Sequence, residues 1–261
     1  MTRLLLIALA VAAPATLHAQ IDYRNLDDGR PSEVEDAYPV ERHAFEFVAP
    51  WRTRHADGVT THLFAPELEY GVVMNGEMGV KVVGAGINGP AGSDIGLAGI
   101  GVGGLYSLNT ESPSLPAAAI RAEVLFPAGA LAGSDVRGLV KLILTRNLGA
   151  LRLHANAARG IGPEDAMGLA APPRWFAGIA AERTFIRHSF LVIADLHGEQ
   201  EARGAPVAVN AGLGARWQWS PTTVLDAGIA RRLRTDAGPE FALTVGLAHA
   251  FGIAALMGGT P

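Results

Sequence analysis

The sequence predicts an all-β protein: an antiparallel up-and-down transmembrane β-barrel of about 12 strands, with short periplasmic turns and longer extracellular loops. Three observations point there. Apolar residues alternate with small or polar ones along successive segments between residues 40 and 252, as strands with one greasy face require. The connections between the segments alternate between tight and long. Trp51, Phe126, Trp175, Trp217, Trp219, Phe241 and Phe251 fall near segment ends, where barrels that cross a bilayer carry aromatic girdles.

From the N-terminus, Arg3, the uncharged run Leu4 to Ala13 and the ending Leu17-His18-Ala19 read as a secretory signal peptide over residues 1–19. Its apolar core is too short to anchor in a bilayer, and no other stretch approaches the roughly 18 apolar residues of a helical span. Residues 20–39 carry Asp27-Asp28-Gly29-Arg30-Pro31 and Glu33-Val34-Glu35-Asp36 without an apolar period. They are expected to form a periplasmic extension leading into the barrel.

The barrel itself is assigned to residues 40–252, with strands at 40–53, 59–73, 77–86, 94–108, 115–126, 135–146, 149–159, 173–185, 188–198, 206–219, 222–233 and 240–252. Tight inner turns read Met74-Asn75-Gly76-Glu77, Arg146-Asn147-Leu148-Gly149, Phe185-Ile186-Arg187-His188 and Trp219-Ser220-Pro221-Thr222. Long outer loops are expected at 86–94, 127–135, 159–173, 198–206 and 234–240. An even strand count leaves both ends of the barrel on the periplasmic side. One connection breaks the rhythm: Asn109 to Ser114 belongs on the inner side, yet it is long and contains Pro113. Residues 253–261 form a C-terminal tail.

Within the strands the two faces differ in kind. In the last, Phe241, Leu243, Val245, Leu247, His249 and Phe251 share one face; Ala242, Thr244, Gly246, Ala248 and Ala250 share the other. Leu151, Leu153 and Ala155 alternate with Arg152, His154 and Asn156 in the same way. An Arg or Lys facing hydrocarbon at the midplane costs about 2–4 kcal/mol, so the strand charges must face inward. This makes Glu67, Glu69, Lys81, Arg121, Glu123, Arg137, Lys141, Arg152, His154, Glu182, Asp195, His197, Arg216 and Asp226 the candidates for lining a substrate path. The alternative is that they pair across neighbouring strands and fill the lumen. Glycine, 32 of 261 residues, suits a curved sheet or a lumen that needs room.

Other functions are poorly supported. The net charge of −4, without long single-sign runs, argues against a nucleic-acid partner. The chain has no cysteine, so neither disulfides nor thiolate metal sites hold it together. His43, His55, His62, His154, His188, His197 and His249 form no H-x-x-x-H pair, and no metal or other cofactor is expected. Gly84-Ala85-Gly86-Ile87-Asn88-Gly89 matches G-x-G-x-x-G, but no helix follows to present its N-terminus to a pyrophosphate. Asp195, His197 and Ser189 could imitate a hydrolase site; no G-x-S-x-G elbow supports it, and the chain is not expected to be an enzyme.

The segment Asp28-Gly29-Arg30-Pro31 with Glu35-Asp36-Ala37-Tyr38-Pro39-Val40-Glu41-Arg42, running into His43-Ala44-Phe45-Glu46-Phe47, resembles outer-membrane transport proteins of the meta-pathway of phenol degradation type. So does the ending, Ser220 to Ile229 followed by Leu243 to Gly252. The resemblance covers about a quarter of the chain. It implies a channel-like barrel for aromatic or other small apolar compounds, with no catalytic residues to carry over. The chain departs from such barrels in continuing past Phe251, since they commonly finish on an aromatic residue.

These readings converge on a passive conduit for a small-molecule solute in the outer membrane of a Gram-negative bacterium, placed among lipid by the insertion machinery. Two alternatives stay open. One is a structural or hydrolytic outer-membrane barrel with a closed lumen; the other is a soluble periplasmic lipid-binding barrel with its greasy face inward.

Overall fold

The computed structural model describes residues 21–163, 168–185, 189–234, 237–253 and 256. The expected signal peptide, the turn at 186–188 and most of the tail lie outside these residues.

Thirteen strands form a single sheet: β1 (Ala44–Ala56), β2 (Val59–Phe64), β3 (Glu67–Val73), β4 (Gly76–Gly89), β5 (Gly92–Asn109), β6 (Ala117–Phe126), β7 (Arg137–Leu148), β8 (Leu151–Ile161), β9 (Trp175–Phe185), β10 (Phe190–Gln200), β11 (Ala208–Ser220), β12 (Thr223–Arg232) and β13 (Phe241–Gly252). Every pairing between these strands is antiparallel, and β1 against β13, from Ala44↔Gly252 to His55↔Phe241, closes the barrel. β2 and β3 lie end to end between β1 and β4, so the staves number 12. The break between them falls at Ala65-Pro66, because proline has no N–H for the ladder. Hydrogen bonds from Ala65 N to Pro50 O (3.2 Å) and from Val82 N to Pro66 O (3.0 Å) carry the sheet across it.

The greasy faces point outward. Leu243 and Val245 are each 45% exposed, while Ala242, Thr244, Ala248 and Ala250 are buried. Phe47, Val80, Val102, Leu142, Ile179, Leu213 and Ile229 extend this apolar band around the barrel. An exposed apolar surface of this extent is matched to hydrocarbon rather than water. It excludes the soluble lipid-binding barrel, whose apolar face would have to line the interior. Trp51, Phe126, Trp217, Trp219 and Phe241 are exposed toward its rims, whereas Trp175 and Phe251 are half-buried.

One expectation about the connections needs correction. Residues 86–94 are not a long outer loop. The ladder continues through Asn88↔Ser93 and Gly89↔Gly92, leaving a tight turn at Pro90-Ala91, and the outer turn at Asp57-Gly58 is equally short. The glycines there accept the turns, with φ of 123° at Gly92 and 75° at Gly58. The irregular inner connection is tied down by its neighbour. Arg146 donates to the carbonyls of Ser112 (2.6 Å), Pro113 (2.7 Å) and Leu115 (2.9 Å), and Asn147 N donates to Glu111 (3.1 Å).

The sequence leaves open whether the N-terminal segment plugs the lumen or hangs below it, and its contacts answer the question. Residues 21–42 do not hang below the barrel; they run up into it and back before β1 begins. Ile21 N bonds Pro221 O at the inner rim (3.0 Å), and the segment returns to the same rim where Val40 N meets Glu77 Oε2 (2.6 Å). Leu26 and Asp36 join the two limbs, and the apex turns at Gly29, whose φ is 74°. Arg30, Val34, Glu35 and Ala37 are wholly buried. The physical reason is complementarity: the polar, aperiodic segment carries the charges that the lumen wall lacks, so it is stabilised better there than in water.

Candidate functional site: the plugged lumen

Alternation along the strands turns one face of every stave inward, and the plug meets that face through four groups of charges. Most fully buried is Arg30, bonded to Asp226 of β12 and to Asp27 of its own segment. Arg216 of β11 completes the group, with Nη2 3.3 Å from Asp27 and Nε 3.8 Å from Asp226. In the second group the Glu35 carboxylate bridges two strands, meeting Arg121 Nε at 2.8 Å and Lys141 Nζ at 2.8 Å. Lys141 also holds Asp28 (2.6 Å), and Arg121 also holds Glu77 (3.1 Å). Glu69 lies 3.9 Å from Arg121.

The third group joins β8 and β9 to the returning limb. Arg152 reaches Asp36 (2.6 Å) and Glu182 (2.7 Å), and His154 lies 3.6 Å from Glu182 while its Nδ1 meets Thr145 Oγ1 at 3.1 Å. Thr145 also accepts from Ala37 N (3.1 Å). Toward the outer side, Glu33 sits 3.2 Å from both Arg52 and Arg54, and Lys81 pairs with Glu123 (2.5 Å) opposite Glu67. Removing one partner from a buried pair leaves an uncompensated charge, which typically costs about 3–5 kcal/mol. The plug is therefore held by groups that are costly to leave half-made.

Glycine supplies the room. A Cβ on Gly228 would lie 2.1 Å from Pro31 O, one on Gly214 2.8 Å from Pro31 Cβ, and one on Gly178 2.8 Å from Val34 Cγ2. Gly214 and Gly228 are paired across β11 and β12, so the plug backbone lies in a groove with no side chains. Apolar contacts complete the fit: Ile21, Tyr23, Leu26 and Val34 pack with Phe176, Leu191, Ile193 and Val224 of the wall. At the outer mouth, Leu131 and Leu169 of the long loops pack over Val83, Ala98 and Leu125.

The structure thus turns the sequence-derived candidates inward but does not leave them lining an open path. Arg121, Lys141, Arg152, His154, Glu182, Arg216 and Asp226 join the plug networks, and Glu69 stands at their edge. Lys81, Glu123 and Glu67 form a wall cluster, and Arg137 stands at the outer start of β7. Asp195 and His197 pair with each other (Oδ1 to Nδ1, 2.7 Å). Ser189 does not join them: it precedes β10, six residues below Asp195, a rise of roughly 20 Å at strand spacing. The hydrolase arrangement is not assembled. Among the described residues no group of three or more His, Asp or Glu is arranged to hold a metal. Residues 84–89 lie within β4, with no helix after them.

Sequence reasoning missed the plug's own Asp27, Asp28, Arg30, Glu33, Glu35 and Asp36 as partners. The available signal was the pair of inward cations Arg121 and Lys141 facing each other across β6 and β7, next to an acidic segment without an apolar period.

At the inner rim a cavity of about 340 Å³ opens between the plug and the wall, bordered by Arg24, Tyr38, Val40, Glu46, Arg152 and Ala250 among others.

No protein-family model matches the chain, and no curated protein does. Among solved structures, the chain is similar to the COG4313 outer membrane channel from Pseudomonas putida F1. The TM-score is 0.62 with 13% identity, covering 87% of this chain and 100% of that one. It is also similar to the KdgM porin in complex with disordered oligogalacturonate (TM-score 0.52, 10% identity, 80% and 99% covered). The NanC porin is comparable (TM-score 0.50, 11% identity, 78% and 98% covered). At these identities the likeness is one of fold.

Proposed function

We propose that the chain is a channel in the outer membrane of a Gram-negative bacterium, exported by residues 1–19 and placed among lipid by the insertion machinery. It passes a small solute passively, without cofactor, when its N-terminal plug yields. The observation that carries this reading is a lipid-matched barrel whose lumen is closed by a separate, non-strand segment. A wall sealed by its own side chains would need no such insert. Likeness in fold to an outer membrane channel and to two porins supports it.

The aromatic or apolar character of the solute rests on the resemblance of residues 28–47 and of the C-terminal strands to the phenol-type transport proteins. The apolar patch formed by Phe176, Leu191 and Ile193 inside the lumen is in keeping with it. The test is single-channel current and liposome swelling with refolded full-length protein: brief openings and permeability to small aromatic solutes are expected. Absence of current and swelling, even after the plug is disengaged, would overturn the proposal.

A second reading, a permanently closed structural barrel, is favoured by the double closure of plug below and loops Leu131 and Leu169 above. It predicts that a plug-disengaged variant stays silent.

A further inference from the structure

The cavity at the inner rim is more than a gap beside the plug, because its charges do not balance. Arg152, the cation at its back, is already satisfied by Asp36 at 2.6 Å and Glu182 at 2.7 Å. Arg24, at its lip, bonds Asn147 (2.9 Å) and lies 3.7 Å from the same Glu182. Deeper in, two guanidinium groups, Arg30 and Arg216, face three carboxylates, Asp27, Asp226 and Glu46. Glu46 borders the cavity, is 4% exposed, and its Oε1 has no hydrogen-bond partner. Its nearest cation is Arg30, 3.9 Å away and engaged by Asp226 and Asp27. Asp22 and Glu41, exposed at the opening, add further negative charge.

A buried carboxylate whose ion pair is a shared guanidinium 3.9 Å away is stabilised by further positive charge brought to it. The rest of the lining specifies the other end of the visitor. Ile21, Val40, Ala44, Ala250 and the ring of Tyr38 form apolar walls, and about 340 Å³ lies at the lower end of the range that holds a small organic ligand. We infer that this vestibule is a binding site for a small organic ammonium ion, its charged nitrogen on Glu46 and its apolar body against Tyr38 and Val40. The site lies at the inner rim, between the two limbs of the plug and the wall, so binding here does not require passage and can be measured separately from conductance.

The test is isothermal titration of refolded full-length protein in a zwitterionic detergent at pH 7, with phenethylamine, phenethyl alcohol and phenylacetate as probes of similar shape and different charge. The amine is expected to bind saturably, one per chain, at least tenfold more tightly than the other two. Glu46→Gln is expected to erase that preference, with the folded barrel verified by its heat-modifiable migration on gels. Ala250→Leu fills the cavity while leaving the carboxylate in place, so it should weaken the amine at least tenfold even if the Glu46 variant does not refold. Equal binding of all three probes, tighter binding of the acid, or undiminished amine binding in either folded variant would overturn the assignment. Loss of conductance alone would not touch it.

Discussion

Asn156 grips the backbone of Glu35 at both ends: its Oδ1 accepts from Glu35 N at 2.9 Å, and its Nδ2 donates to Glu35 O at 2.9 Å. The amide thus does for the plug what a neighbouring strand would do, from a single side chain at the middle of β8. Asn156→Asp removes the donor and turns an oxygen toward a carbonyl. A buried group left without its partner costs about 1–3 kcal/mol. The variant should open more often in single-channel recordings while the barrel keeps its unfolding temperature; an unchanged open fraction would count against the plug as the gate.

The glycine groove offers a second route to the same end. Gly228→Val would drive a side chain into Pro31 O, against backbone rather than a flexible tip. Overpacking of this kind costs about 1–3 kcal/mol, and the weaker element should move. Higher conductance with an intact barrel is expected in planar bilayers. Gly204→Val, in an outer turn with no atom within 4 Å but a φ of 78°, should affect that turn alone.

How far the sequence speaks for this architecture differs between wall and plug. Period-two alternation in β8, β11 and β13 placed Leu243, Val245 and Trp217 outward and Arg152, Asn156 and Arg216 inward, because the side-chain period of a strand is fixed by its geometry. The turn at Pro221-Thr222 was legible from its residues. The path of residues 21–42 was not: an aperiodic segment has no face to read, and its position follows from partners on β1, β4, β6 to β9, β11 and β12. The hairpin at Pro90-Ala91 was misjudged because its glycines look like loop residues while continuing a ladder.

If the plug must leave for solute to pass, tethering it should silence the channel. Val34 and Gly178 are close enough for a bridge, since a Cβ on Gly178 would lie 2.8 Å from Val34 Cγ2. The chain has no native cysteine to compete. Val34→Cys with Gly178→Cys should conduct when reduced and fall silent when oxidised, read in one bilayer by adding and removing reductant. Equal current in both states would mean that solute bypasses the plug.

The inner-face clasp between Glu111 and Asn147 should respond to acid. The hydrogen bond donated by the Asn147 side chain, with help from its backbone N–H and from Arg146, holds the Glu111 carboxyl below its ordinary value of 4.5. A carboxyl lowered on folding contributes stability above its unfolded value and loses it as the pH falls through the folded one. The side-chain amide resonance of Asn147 should therefore shift with a midpoint below 4.5, and Glu111→Gln should abolish the titration. A midpoint above 4.5 would contradict the clasp.

The union of β1 with β13 has a consequence for how the molecule is made. The residues that receive the plug come from staves near both ends of the chain, Arg52 from an early one and Asp226 from a late one. The segment that precedes β1 in the chain therefore finds its full set of contacts only after the last hairpins have arrived. Burial of residues 21–40 can serve as a reporter that the ring has joined, and a protease able to cut that stretch would mark molecules still waiting for their final staves.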